Sequence, residues 1–308
     1  MEAIRFISAS QVKKVLTFEL LIAKMEDALS KFSSHRVVQP VRSVLSVEET
    51  NGFLGLMPSF CPEDNVLATK LVTLYPNNKD VAAVNAVIVM FNASNGVPEV
   101  ILDGEVITAM RTAAVSTVAT KFLCNKNPEI LAILGTGVQA RSHYQALSTV
   151  YKFKEVRIWG RTAANIDRLS SEIGGIACQT AKDAVKDADI IVTVTSSSSP
   201  VLMKEWVKDG AHINAVGASS PDFQEIDPEL MRSSSVFVDS RDAAMEESGD
   251  IILSKVNIEA EVGEVITGKN GGRKASEEIT LFKSLGLAVE DALSAKLVCD
   301  ILSSSKQA

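Results

Sequence analysis

Ile130-Leu131-Ala132-Ile133-Leu134-Gly135-Thr136-Gly137-Val138-Gln139-Ala140 decides the fold of this chain. Five consecutive apolar residues predict a strand buried on both faces. The next six residues read G-x-G-x-x-A. Gly135 permits a tight turn after the strand, Gly137 lets a pyrophosphate approach bare backbone, and Ala140 allows close helix–strand packing. Val138–Val150 has helical spacing, and the free N–H groups at its start suit an anion. Glycine-rich turns are common, so the motif gains its weight from context: a strand before it, a helix it opens, and a second strand, Val156–Trp159, after that. This is the pattern of a dinucleotide-binding unit.

Working toward the C-terminus, Ala163–Ile173 is helical, and Ile190–Thr195, Ala211–Val216 and Val236–Val238 are strand-like. Strands alternating with helices predict a doubly wound parallel sheet of the Rossmann type. The end of the second strand addresses the choice of coenzyme. An NAD site places Asp or Glu there for the ribose 2′-hydroxyl, whereas this chain has Trp159-Gly160-Arg161-Thr162. A guanidinium and a hydroxyl suit a 2′-phosphate, which a carboxylate would repel. NADPH is therefore favoured, with NADH the alternative. Ser276–Ile301 has amphipathic helical spacing, with a bend expected at Gly286.

Working toward the N-terminus, the period changes. Ser8 and Gln11 have capping-box spacing, and Leu16–Phe32 is an amphipathic helix. Val37–Val47, Gly52–Pro58, Ala68–Tyr75, Ala82–Phe91 and Val97–Asp103 are short and rich in β-branched residues. Asn95-Gly96 predicts a hairpin. Helical spacing returns over Val106–Leu123. The first third is thus a mostly antiparallel α+β region without a phosphate loop.

Composition removes whole classes. Of 308 residues, 46% are hydrophobic and 22% charged, which excludes a disordered or fibrous chain. A net charge of −7 argues against nucleic acid as a partner. No apolar run is long enough for a membrane span, and Met1–Phe6 lacks the features of a signal peptide. Cys61, Cys124, Cys178 and Cys299 are scattered, as free thiols in a reducing, cytoplasmic setting would be. Three dispersed histidines give no metal site; His35 reads as a helix C-cap, His143 as a helix-surface or interface residue, and His212 as the start of a buried strand.

Three cations stand out before the dinucleotide motif. Arg42 follows Gln39-Pro40-Val41, Lys70 lies between strand-forming residues, and Arg111 interrupts a helical stretch of small residues. A charge so placed needs a partner. Each one singly reads as a structural salt bridge; beside a nicotinamide, the three together read as a pocket for a carboxylate.

Arg42, Thr69–Val72, Leu102–Ala114, Gly135–Ala140, Asn214–Ser219 and Phe282–Gly286 together resemble the ornithine cyclodeaminase/μ-crystallin family over nearly the whole chain. Gly210–Ser219 and Asp239–Asp250 resemble its μ-crystallin, or ketimine reductase, branch. The resemblance implies a substrate-binding and homodimer-forming domain over residues 1–118, joined by a C-terminal helix at about 290–308, and a Rossmann domain over 119–289. It implies that Arg42, Lys70 and Arg111 hold a substrate carboxylate, with Ser219 and Glu247 also at the substrate. Gly135, Thr136, Gly137, Val138 and Gln139 would cradle the pyrophosphate. Gly160, Arg161, Thr162 and Asn165 would meet the 2′-phosphate end. Thr195, Ser196, Ser197, Val216, Ser284 and Arg111 would lie along the rest of the cofactor.

Two positions depart from relatives. Ser219 stands where cyclodeaminases carry an Asp, and a neutral hydroxyl cannot deprotonate an amine for cyclisation. Ala83-Val84-Asn85 replaces a more polar strand. The expected activity is reduction by NAD(P)H of cyclic ketimine carboxylates, piperideine-2-carboxylate and pyrroline-2-carboxylate, to cyclic imino acids. Lys70 is the first candidate proton donor, and Glu247 the second. The alternatives are an NAD-dependent ornithine cyclodeaminase or amino-acid dehydrogenase, and a non-catalytic role as a lens crystallin or a binder of thyroid-hormone-like ligands.

Overall fold

In the computed structural model, residues 4–305 are described, and they form two units. One holds the chain up to Arg111 together with the segment from Gly286 onward; the other is Thr112–Leu285. The expected divisions after residues 118 and 289 are displaced: the first falls inside a continuous helix, the second just before Gly286. Each unit is built on its own sheet.

The first unit begins with β1 (Arg5–Ile7), α1 (Ala9–Val15) and α2 (Phe18–Ser33). The capping box at Ser8 and Gln11 is present, and Thr17 caps α2 through its side chain. Leu21, Met25, Ala28 and Leu29 form the buried stripe of α2, as the spacing predicts; Ile22 joins it, while Phe32, expected there, is half-buried. β2 (Ser43–Val47), β3 (Gly52–Cys61), β4 (Val66–Leu74), β5 (Val84–Phe91) and β6 (Pro98–Asp103) complete a sheet in the order β1-β6-β5-β4-β3-β2. Every pairing is antiparallel except β1 with β6. The strand expected over Val37–Val47 shrinks to its last five residues. Upstream only Val38 pairs, with Phe60, because Pro40 has no N–H to give a ladder. Gly96 takes a left-handed φ of 74° in the β5–β6 connection.

Register decides which side chains enter the core. Met57 pairs with Lys70, and Lys70 with Ile88, so all three share one face of the sheet and are buried. The C-terminal helix, Ala288–Ser304, packs on this unit through β3, β4 and α2. The last residues of the expected helix, 306–308, lie outside the described residues. The opposite sheet face carries Phe6, Leu45, Leu56 and Val87, all exposed.

The chain passes into the second unit along α3 (Gly104–Leu123). β7 (Ile130–Leu134), β8 (Glu155–Trp159), β9 (Ile176–Ala177), β10 (Ile190–Thr193), β11 (His212–Ala215), β12 (Ser235–Val238), β13 (Ile258–Glu261) and β14 (Thr280–Lys283) form one sheet. Its order is β13-β12-β14-β11-β10-β7-β8-β9, parallel throughout. α4 (Val138–Ser148) and α5 (Ala163–Ile173) follow β7 and β8, and Leu131, Ile133, Ala140, Leu147, Ile158, Ile166 and Val192 share a core. This is the predicted doubly wound Rossmann sheet.

One helical expectation fails. Ser276–Ile301 is not a single helix: Thr280–Lys283 is the strand β14, set between β11 and β12, and the helix starts only at Ala288. Phe282, apolar at helical spacing from Ile279 and Leu285, is a core residue of a strand buried on both faces. A continuous apolar run does not distinguish that from a helix. Gly286, with φ of 84°, makes the turn between them.

Candidate active site

The strand order reverses direction about β7: β8 and β9 lie on one side, β10 and β11 on the other. At such a switch point the loops leaving the strands part, and a crevice opens beyond their carboxyl ends. A cavity of about 240 Å³ lies there. Gly135, Thr136 and Gly137 line it after β7; Trp159 at the end of β8, with Gly160, Arg161, Thr162 and Asn165 beyond it; and Thr195, Ser196 and Ser197 after β10. The structure thus brings together ten of the residues expected at the cofactor.

The glycines fit a dinucleotide. Gly135 has φ of 134°, and a Cβ there would sit 2.6 Å from the Val194 carbonyl. A Cβ on Gly137 would project into open space, leaving bare backbone toward the crevice. A Cβ on Gly160 would stand 2.8 Å from Thr136 Cγ2, so this glycine lets two cavity walls close up. Gly137 and Thr162 are the N-caps of α4 and α5, and neither helix start carries a side-chain cap, which leaves first-turn N–H groups for an anion. Ser284, nearly fully buried, keeps a hydroxyl oxygen without a hydrogen-bond partner, as a ligand-facing group would.

Other expected cofactor residues are placed differently. Val138 is exposed at the start of α4, Gln139 is half-buried beside it, and Val216 continues β11 by donating to the Thr193 carbonyl. Arg111 belongs to the first unit. Ser219 is exposed in the loop after β11. Glu247 is half-buried at the end of the helix Arg241–Glu247.

His143 narrows its sequence reading. Of the two readings, helix surface and interface, the first fails: His143 is fully buried, and burial lowers its pKa to about 4, against the pull of its bond to the Gln139 backbone. The Gln139 carbonyl can only accept, so Nδ1–H donates to it at 2.8 Å, and Nε2 accepts from the Ser116 hydroxyl at 2.9 Å. A neutral imidazole thus ties the first turn of α4 to α3.

Below the crevice lies a buried acid that sequence reasoning missed. Glu225 accepts from Thr193, Thr195 and Gly217, and burial raises its pKa while Lys283 and Thr195 oppose the rise. Asp250, paired with Lys283 at 3.1 Å, accepts the backbone N–H of Glu225.

In the first unit the three expected cations converge. Lys70 is 2% exposed and Arg111 3% exposed, so both must be paired. Lys70 Nζ lies 2.6 Å from Asp291 Oδ2; Arg111 Nε is 3.0 Å from Asp291 Oδ1, and its Nη1 is 2.8 Å from Glu290 Oε2. Arg42 donates to the Gly286 carbonyl at 3.1 Å. A Cβ on Gly286 would overlap the Arg111 guanidinium, so glycine is required there both for space and for φ.

Asp291 and Glu290 were not foreseen, though two adjacent acids inside the apolar run Leu287–Leu293 are a legible signal. Burial lowers the Lys70 pKa to about 8; Asp291 resists the shift, while the charges of Arg111 and Arg42 add to it. Asp291 is itself buried, which favours its neutral form, yet Arg111 and Lys70 hold its pKa below the usual value. Arg42, Lys70 and Arg111 meet two carboxylates, Glu290 and Asp291, in one buried cluster. Such a cluster can hold a carboxylate and keep an amine that protonates and deprotonates near neutral pH.

The profile of the ornithine cyclodeaminase/mu-crystallin family matches residues 3–306. This chain belongs to that family. It is 48% identical over 309 residues to ketimine reductase mu-crystallin of Rattus norvegicus, covering 98% of each chain. The Delta(1)-pyrroline-2-carboxylate reductase of Thermococcus litoralis, solved with NADH and L-proline, superposes with a TM-score of 0.94 at 34% identity, covering 98% of both chains. An archaeal alanine dehydrogenase dimer with bound NAD gives 0.93 at 29% identity, over 98% of this chain and 97% of that one. The family fold is the one described here. Among the described residues no helix is long and apolar enough to cross a membrane.

Proposed function

We propose that this chain reduces cyclic ketimine carboxylates, piperideine-2-carboxylate and pyrroline-2-carboxylate, with a reduced nicotinamide coenzyme. The observation that carries the reading is Lys70: a fully buried amine with a pKa of about 8, held in one cluster with Arg111 and Arg42. Ketimine reductase mu-crystallin and the pyrroline-2-carboxylate reductase, similar along nearly their whole lengths, support the substrate class.

When bound, the coenzyme supplies the hydride. The chain's own residues do the rest. Arg42, Arg111 and Lys70 neutralise the substrate carboxylate. Lys70 delivers a proton to the imine nitrogen, since an iminium carbon accepts hydride more readily than a neutral imine. Its lowered pKa makes that transfer easier than from an ordinary lysine. Asp291 keeps Lys70 and Arg111 in place. Glu247 is the second choice of donor, and Ser219 a substrate-side hydroxyl that cannot act as base.

For the coenzyme, NADPH is the preferred form and NADH the second. Arg161 and Thr162, at the end of β8, support this, because that wall of the cavity holds a cation and no acid. A homodimer formed through the first unit is supported by its apolar outer sheet face and by the dimeric alanine dehydrogenase. Four free thiols support a cytoplasmic setting.

Steady-state oxidation of NADPH with piperideine-2-carboxylate tests the reading. Turnover that disappears in Lys70→Met is expected; coenzyme oxidation no faster than background for both ketimines, with NADPH and with NADH, would overturn it. Ammonia release from ornithine would instead select the cyclodeaminase.

A further inference from the structure

We propose that Glu225 is a positioning residue for the coenzyme, fixing the rim of the crevice through Thr195 and Gly217. The assignment rests on the function proposed above, since it concerns how that crevice holds its dinucleotide.

β10 ends at Thr193 and β11 at Ala215. The Val216 N–H still donates to the Thr193 carbonyl, at 2.9 Å. Beyond that rung the N–H groups of Thr195 and Gly217 both turn to one carboxyl group. Glu225 Oε1 accepts from the Thr195 N–H at 2.6 Å and the Thr195 hydroxyl at 2.6 Å. Oε2 accepts from the Gly217 N–H at 2.7 Å and the Thr193 hydroxyl at 2.9 Å. The Thr195 hydroxyl accepts in turn from the Ser197 N–H at 3.3 Å. The constraint thus reaches Thr195, Ser196 and Ser197, which line the cavity, although Glu225 itself does not line it.

The arrangement is rigid at both ends. Glu225 is fully buried; its N–H and that of Ile226 donate to Asp250 Oδ1 at 2.8 and 3.0 Å, and Lys283 holds the other Asp250 oxygen. Gly217 has no space for a side chain, since a Cβ would overlap the Thr195 carbonyl and come within 2.6 Å of the Glu225 carboxyl.

A carboxyl group satisfies this geometry, and an amide does not. The hydroxyls of Thr193 and Thr195 can turn to accept, but the N–H groups of Thr195 and Gly217 cannot, and they address opposite oxygens. A glutamine offers one oxygen and one NH₂, so one rim N–H must face another donor. An unpaired buried donor beside a strand end moves the backbone or leaves it mobile.

The test is calorimetric titration of NADPH and NADH into wild type, Glu225→Gln and Thr193→Val, with melting curves for each. Glu225→Gln should raise the coenzyme Kd about tenfold, the effect of one lost hydrogen bond to a charged acceptor, and raise the coenzyme KM more than the ketimine KM. Thr193→Val loses a contact to the same carboxylate without loosening either rim N–H, so it should lower Tm and keep Kd within twofold. Glu225→Gln with wild-type Kd, or Thr193→Val weakened equally, overturns the assignment alone. Absence of heat with wild-type protein and either coenzyme overturns the proposed function and this assignment with it. Should Glu225→Gln not fold, Thr195→Val replaces it with Thr195→Ser as rescue: weakened binding in the first, restored in the second, supports the relay, and wild-type binding in Thr195→Val overturns it.

Discussion

Asp291→Asn probes the cluster most directly, because one carboxylate holds two buried cations. The two contacts respond differently to pH. Arg111 stays charged, so losing its 3.0 Å bond to Asp291 costs about 1.5–3 kcal/mol, the worth of a hydrogen bond between charged groups. Lys70 has an escape. With its pKa at about 8, neutralising it at pH 7 costs one unit, or about 1.4 kcal/mol, and the variant cannot lose more than that through Lys70. The total penalty at pH 7 is therefore about 3–4 kcal/mol. At pH 9.5 Lys70 is neutral in both proteins, and only the Arg111 part, about 1.5–3 kcal/mol, remains. Urea unfolding of the two proteins at both pH values measures the difference, and melting should show a deficit of about 10 °C at pH 7, narrowing at pH 9.5. An equal penalty at both pH values, or one below about 1 kcal/mol at pH 7, would refute the view that Asp291 bears on a titrating Lys70.

Gly286→Ala forces a side chain into a left-handed φ and against Arg111, so it should destabilise by about 1–2 kcal/mol from the backbone alone. It should also lower kcat/KM for ketimine at least tenfold, read by melting and steady-state rates. Catalysis should fall as pH rises through about 8, because Lys70 then loses the proton it donates. A kcat/KM profile flat to pH 9.5 would remove Lys70 as donor. Arg161→Ala should raise the NADPH KM about tenfold and leave the NADH KM nearly unchanged. His143 and His212 have folded pKa values lowered to about 4 and about 3 by burial, so the unfolded chain binds protons first on acidification. Stability should fall between pH 6.5 and 4.5 by up to about 2.7 kcal/mol per histidine, and His143→Gln should flatten that slope in urea titrations.

The dinucleotide unit was legible locally because its chemistry is written in contiguous residues. The strand Ile130–Leu134, the Gly135–Ala140 turn and Trp159–Thr162 each carry their own backbone requirement, and the crevice assembles them as the spacing implies. The amphipathic α2 and the capping box at Ser8 were legible for the same reason: their periods and caps are short-range. Arg42, Lys70 and Arg111 were recognisable as charges in apolar settings. Their partners were not, since Asp291 is 180 positions from Arg111, and a sequence shows only that such a charge needs a counter-ion.

Where the sequence misled, the cause was an ambiguity that burial removes. Phe282 has helical spacing from Ile279 and Leu285 on paper but lies in a strand covered on both faces, where periodicity carries no information. His143 read as either a helix-surface or an interface residue until α3 supplied Ser116 beside it. Glu225 shows no local signal; its role exists only because parallel strands bring Thr195 and Gly217 side by side. The linear chain alone determined the Rossmann class and the residue types lining the crevice, since turns, caps and periods act over a few residues. Which acid neutralises which buried cation, and how acidic each group becomes, was decided only by the tertiary fold, because Coulomb and desolvation energies depend on distance through space, not along the backbone.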